Sequence, residues 1–387
     1  MRFRHRDGST VHLAYCTNVH PAEDLEGIIA QFDHYAVPIR RRLGVERLGL
    51  GLWLARDVAT ALVEDDTALA RLRTELLARG LEVVTLNGFP YRGFQRAVVK
   101  HAVYRPDWSE RARLDYTLDL AKLLSHLLPE DVTSGSVSTL PLGWGAWWSE
   151  HHHNRALAHL TELTDGLARL AAREGRSVRV GLEPEPGCVL ETTDQLVSAL
   201  SGTDSEHLGI CLDTCHVAVA FENPHRALRR LHEAGLPVVK TQASSALRVD
   251  NPGDPTQRAE LNSFVEPRFL HQTQQSGDGV RRAVDDLGSA LAGELSGDQP
   301  WRVHFHTPLH TDPSASLRGT HDVLGETLRS LLGDNTAHTR HVEVETYTWD
   351  VLPDSGDHSA SIGAGIAAEL DWARRRLLEL GLTEEGR

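Results

Sequence analysis

Short apolar runs that end in polar residues alternate with amphipathic stretches along nearly the whole chain, and this alternation limits the fold more than any other feature. A parallel strand can only follow another after a long crossover, so repeated strand-then-helix units build a parallel α/β sheet. The strand candidates are VHLAYCTN (11–18), RLGLGLWL (47–54), LEVVTLNG (81–88), SVSTLPLG (136–143), VRVGLEPE (178–185), LGICLDT (208–214), PVVKTQAS (237–244), WRVHFHT (301–307) and HVEVETYT (341–348). They number nine for the eight places of a closed (β/α)8 TIM barrel, and HVEVETYT is favoured over WRVHFHT for the last place. Between them lie helical patterns. In TALARLRTELLARG, Leu69, Leu72 and Leu76 recur at helical spacing and Gly80 suits the position after a helix end. Residues 157–172, 227–234 and 364–380 read the same way, the last as a closing helix.

At 387 residues the chain exceeds the ~250 of a plain barrel, which fits a single barrel domain over 1–387 with an insertion. The insertion is placed at 245–300, a stretch rich in Gly, Asp, Gln and Pro that is too long for a connecting loop and reads as a lid over the barrel mouth. With 40 Lys+Arg against 54 Asp+Glu the formal net charge is −14, which disfavours nucleic acid and anionic membranes and leaves a small-molecule metabolite as the expected partner. No run approaches the ~18 uninterrupted apolar residues of a membrane span, so no membrane insertion is expected. Cys16, Cys188, Cys211 and Cys215 lack the density of a secreted framework and MRFRHRDGSTVHL has no apolar signal core, which predicts a cytoplasmic protein.

The chemistry is sought where polar residues fall late in strands. Alternation in VRVGLEPE turns Val178, Val180 and Leu182 outward and Gly181, Glu183 and Glu185 inward, with Glu183 at the strand end. LGICLDTCH likewise brings Asp213 inward, with His216 in the following loop. PVVKTQAS offers Lys240 and Gln242, and HVEVETYT offers Glu343, Glu345 and Tyr347. Glu183, Asp213, Gln242 and Glu345 form a set of hard oxygen donors whose burial without a cation would be expensive. A divalent metal ion, Mn²⁺, Mg²⁺ or Zn²⁺, is the expected cofactor, and the oxygen donors favour the first two. His20, Asn87, His216 and His306 are expected to contact substrate, His306 also standing near enough in the pattern to touch the metal. The run His151–His153 reads as a solvated loop, because three adjacent side chains cannot all face one ion. Trp144, Trp147 and Trp148 read equally as an aromatic wall for a ring-bearing ligand or as packing under the lid.

In this combination the residues resemble the xylose-isomerase-like (sugar phosphate isomerase/epimerase) superfamily. There the metal is held by Glu on the fifth strand, Asp on the sixth, His or sometimes Gln on the seventh and Glu on the eighth, which the resemblance maps onto Glu183, Asp213, Gln242 and Glu345. The sequence departs from the commoner pattern in having Gln at 242, and in the long gap from Gln242 to Glu345. More narrowly, YCTNVHP, LNGFPYRGF, VYRPDW, LEPEPGC, CLDTCH and VEVETYTWDVLP resemble the EboE family of metabolite traffic proteins, over about residues 12–353. That likeness implies a role in processing or moving a secondary metabolite.

The expected reaction is isomerisation or epimerisation of a hydroxy-ketone or sugar-like substrate, with Glu183 and Glu345 as the acid/base pair beside the metal. A non-catalytic metabolite carrier using the same pocket is the alternative. A nuclease of the endonuclease IV type is disfavoured by the net charge of −14.

Overall fold

A computed structural model describes residues 1–277, 279–353 and 358–386. Eight parallel strands close into a barrel: β1 (Thr10–Cys16), β2 (Leu48–Trp53), β3 (Leu81–Asn87), β4 (Ser134–Thr139), β5 (Ser177–Leu182), β6 (Leu208–Asp213), β7 (Val238–Ala243) and β8 (His341–Val344). Each pairs with the next in chain order, and β8 pairs with both β7 and β1 to complete the ring. Eight of the nine strand candidates thus supply the barrel, and the eighth place falls to the 341–348 segment. The strand itself stops at Val344, so Glu345 opens the loop at the mouth.

The outward faces of the strands are packed by helices whose apolar spacing was legible. The helix Asp66–Ala78 buries Leu69, Leu72 and Leu76 and is capped at its start by the Asp65 side chain. Gly80 follows at φ +66°, and a Cβ there would lie 2.7 Å from the Glu46 carbonyl oxygen. The helix Glu150–Glu174 buries Leu160, Leu163, Leu167 and Leu170. Its first turn contains His151–His153, because Ser149 accepts from the His152 backbone N–H and caps the helix earlier than the apolar periodicity indicates. The run is therefore helical, where the sequence reading placed a loop.

Inside the barrel, Lys240 and Glu343 are fully buried and paired at 3.1 Å. Gly51 of β2 faces this pair: a Cβ at that position would fall 1.7 Å from Glu343 Oε2, so the missing side chain makes room for the carboxylate.

Between β7 and β8 the chain builds a second, antiparallel sheet of five short strands in the order 280–284, 273–277, 301–303, 247–249 and 318–319. It has its own core, which includes Leu247, Phe264, Trp301, Val303 and Phe305. The sheet reaches past the 245–300 segment expected for the lid, because Trp301–Val303 and Arg318–Gly319 both pair with Leu247–Val249. Only after it comes the helix His321–Leu332 that precedes β8. The crossover helix is displaced behind the inserted sheet, and this accounts for the long gap between Gln242 and Glu345. Among the described residues no helix is long and apolar enough to cross a membrane.

Candidate metal centre and its cleft

The barrel's C-terminal rim gathers acidic side chains from strands that are far apart in sequence. Glu183, just past β5, donates its backbone N–H to the Thr139 carbonyl and so continues the ladder by one residue. Asp213 ends β6 and caps the short helix Thr214–Val219: its Oδ1 accepts from the His216 N–H at 2.9 Å and from Ser244 Oγ at 2.8 Å, leaving Oδ2 free to face the barrel axis. Glu345 is held by three amides, with Oε1 accepting from Asn18 (2.7 Å) and Asn87 (2.9 Å) and Oε2 from Gln242 (3.0 Å). Carboxylate oxygens of Glu183, Asp213 and Glu345 all lie within 4.8 Å of one another, and all three residues are buried.

A nitrogen ligand reaches the same place from the inserted sheet. Beyond Trp301–Val303 the chain runs down into the barrel mouth, fixed by hydrogen bonds from the His304 N–H to the Gln272 carbonyl (2.8 Å) and from the Thr307 N–H to the Ser245 carbonyl (2.7 Å). His306 Nδ1 lies 2.7 Å from the Glu345 carbonyl oxygen and must donate to it, which leaves Nε2 with a bare lone pair. That Nε2 stands 3.9 Å from Asp213 Oδ2. Ligand atoms of Asp213, His216 and His306 also lie within 4.8 Å of one another.

Glu183 Oε2, Asp213 Oδ2, Gln242 Oε1 and His306 Nε2 are buried and have no hydrogen-bond partner. Such atoms are costly unless something occupies the space between them. Burial, with the negative charge of Glu345 and Asp213, pushes the Glu183 carboxyl far above its usual range. Burial, Asp213 and Glu343 push Glu345 up to about 8. Burial also lowers His306 to about 4, so its Nε2 is unprotonated at neutral pH. A divalent cation among these atoms would reverse the cost for the carboxylates and accept the imidazole lone pair, and the donor set fits one.

The remaining expected residues are distributed differently. Asn87 and His216 line the cleft with His306. Gln242 reaches the cluster by donating Nε2 to Glu345 and Glu343, its carbonyl oxygen unpartnered. His20 is not on the cleft wall. Its ring stacks on Tyr35 at 4.0 Å and meets the Tyr15 hydroxyl at 3.3 Å, because the chain turns through the one-turn helix Thr17–Val19 directly after β1. That turn brings Asn18 to the cleft instead. Asn18 lay within the CTNVHP run, but nothing in its spacing told it from His20.

A second buried network adjoins the cluster. His216 Nδ1 donates to the Pro184 carbonyl (2.7 Å), and its Nε2 lies 3.0 Å from His304 Nε2. His304 Nδ1 contacts Gln272 Oε1 at 2.7 Å, while the Tyr104 hydroxyl donates to Glu185 at 2.6 Å. Of the three tryptophans, Trp144 is buried 4.7 Å from the Tyr104 ring, and Trp147 stays 44% exposed, outside the cleft. The cleft above the cluster opens toward solvent and holds a cavity of about 50 Å³.

In fold, the chain is similar to an L-ribulose 3-epimerase structure, at 14% identity over 96% of this chain and 95% of that one, with a TM-score of 0.50. It is also similar to a xylose isomerase domain protein from Planctomyces limnophilus, at 14% identity over 96% and 97%, with a TM-score of 0.51. No curated protein matches it in sequence. The family described as xylose isomerase-like TIM barrel matches residues 41–280, more than half of the chain. The barrel, its closure through β8 and this match together place the chain in the xylose isomerase-like TIM barrel family.

Proposed function

We propose that the protein is a divalent-metal-dependent isomerase or epimerase acting on a small hydroxy-ketone or sugar-like metabolite. The observation that carries this reading is the convergence of the buried Glu183, Asp213 and Glu345 carboxylates, with His306 Nε2 standing 3.9 Å from Asp213 Oδ2. Glu183, Asp213, Glu345 and His306 would hold the ion, with the Gln242 carbonyl oxygen as an additional donor. When bound, such an ion supplies Lewis-acid polarisation of a substrate carbonyl.

The chain's own groups do the rest. Glu183 and Glu345 take a proton from a carbon beside the carbonyl and return it, on the same or the adjacent carbon. Asn18 and Asn87 hold Glu345 in place through its Oε1, so its orientation is fixed before substrate arrives. His216 lines the cleft with its ring fixed between the Pro184 carbonyl and His304 Nε2. The inserted sheet closes one side of the mouth and limits the water that reaches the exchanging proton. The likeness of CLDTCH, LEPEPGC and VEVETYTWDVLP to EboE proteins supports a place in secondary-metabolite processing or traffic.

Incorporation of solvent deuterium into dihydroxyacetone and D-fructose, followed by NMR with added Mn²⁺, tests the reading. Metal-dependent exchange in the wild type should fall at least a hundredfold in E183Q and E345Q. Equal exchange in both variants and the wild type would remove the acid/base assignment, and Mn²⁺ binding without exchange of either probe or of an aryl ketol would favour a metabolite carrier.

A further inference from the structure

One wall of the cleft is apolar and largely aromatic. It is made of Phe89, Phe94, Val99, Val103, Phe269 and Tyr347. Three of these rings form a closed triangle, with centroids 5.2 Å apart for Phe94 and Phe269, 5.2 Å for Phe94 and Tyr347, and 4.9 Å for Phe269 and Tyr347. The triangle adjoins the metal cluster directly, since the Tyr347 ring lies 4.6 Å from that of His306. A ligand with its oxygens among Glu183, Asp213 and Glu345 would therefore lay its body on apolar and aromatic surface. Hydroxyl groups placed there would lose water and find no partner on that wall beyond the Tyr347 hydroxyl.

Electrostatics points the same way. The wall carries Glu183, Glu185 and Glu345, with Asp213 beside them, and a divalent ion offsets only two of those charges. Among the described residues the single Lys or Arg on the wall is Lys100. Its ammonium is engaged by Asp286 at 2.6 Å and by the Glu266 carbonyl at 3.3 Å. A phosphate group normally meets Arg or Lys forks or a helix N-terminus, and this cleft offers a phosphorylated substrate an excess of carboxylate instead.

Resting on the metal-dependent reading above, we infer that the ligand is an uncharged ketol or vicinal diol whose body is an aromatic or other apolar ring, and not a phosphorylated sugar. The wall beside the metal cluster would then take the ring edge-on or offset against Phe94 and Phe269, the arrangement that aromatic pairs prefer. Val99 and Lys100 are clamped to the inserted sheet by their backbone N–H groups, which both donate to the Arg268 carbonyl at 2.7 and 2.9 Å. The apolar wall is thus assembled jointly by the loop after β3, the insertion and, through Tyr347, the segment after β8.

Three probes with one chelating head and different bodies test this: 2-hydroxyacetophenone, dihydroxyacetone and dihydroxyacetone phosphate. Each is titrated calorimetrically into the full chain with and without Mn²⁺. The inference stands if the aryl ketol binds at least about tenfold more tightly than both others, as burial of a ring in place of a hydroxymethyl group requires. It falls if the phosphate binds as tightly as the aryl ketol, if the margin over dihydroxyacetone is smaller, or if none of the three binds. F94A should bring the aryl margin toward unity without weakening dihydroxyacetone, and V99T, which keeps the side-chain shape, should shrink it if F94A does not fold. Failure of Mn²⁺ itself to bind would sink the metal-dependent reading, and the same ladder in the metal-free protein would still decide the ligand class. Mn²⁺ binding with no aryl preference would overturn this inference alone.

Discussion

Glu369 shows how much a single buried carboxyl governs. It lies on the closing helix His358–Glu379, fully buried, accepting from the Thr346 hydroxyl, the Leu309 N–H and the Trp349 indole N–H. Burial outweighs these three donors and pushes its pKa from 4.5 up to about 7. Between those values the folded state keeps a proton that the unfolded chain has lost, so stability falls as pH rises through the window and levels off above it. Relative to E369Q, the wild type should lose ~3 kcal/mol of unfolding free energy from pH 4.5 to pH 7, measured by urea denaturation at each pH. A parallel pH dependence in the two proteins would refute it. At this scale the sequence was legible where a carboxylate fell late in an alternating strand, as Glu183 and Asp213 do. It was illegible at His20, because a one-turn helix after β1 rotates Asn18 into the cleft and leaves His20 against Tyr35.

The inserted sheet behaves as an element with a core of its own. Trp301 is fully buried there, and its indole N–H donates to the Ser296 carbonyl at 2.9 Å. W301A should cost about 3–5 kcal/mol locally. Hydrogen exchange should then accelerate over 247–319 while β1 to β8 keep their protection, because the two cores are separate clusters. Uniform acceleration across the barrel would show the cores to be coupled. The alternating βα pattern announced the barrel strands, since most of them carry an apolar face. The insertion escaped a full outline because its strands are only two to five residues long and their antiparallel partners are distant in sequence, Arg318 pairing with Arg248 across the whole excursion. WRVHFHT looked like a ninth barrel strand for the same reason: its first three residues are a strand, of the other sheet.

For the molecule as a whole, a net charge of −14 with three acidic groups converging at one point makes stability sensitive to divalent cations. An ion present at about a hundred times its dissociation constant adds about 2.7 kcal/mol to folding, which for a chain of this length raises Tm by roughly 3 °C. Mn²⁺ should produce that shift in the wild type and none in D213N, measured by differential scanning calorimetry, and equal shifts would place the ion elsewhere. The route of the chain adds one more consequence. His306 is lent by the excursion between β7 and β8, whereas Glu183, Asp213 and Glu345 belong to the barrel wall and its rim, so an ion shared among them would fasten two separately built parts together. Chelation should loosen that fastening before it harms the barrel, and a protease added with EDTA should nick the stretch from 245 to 320 first, leaving the eight-stranded ring intact on the gel.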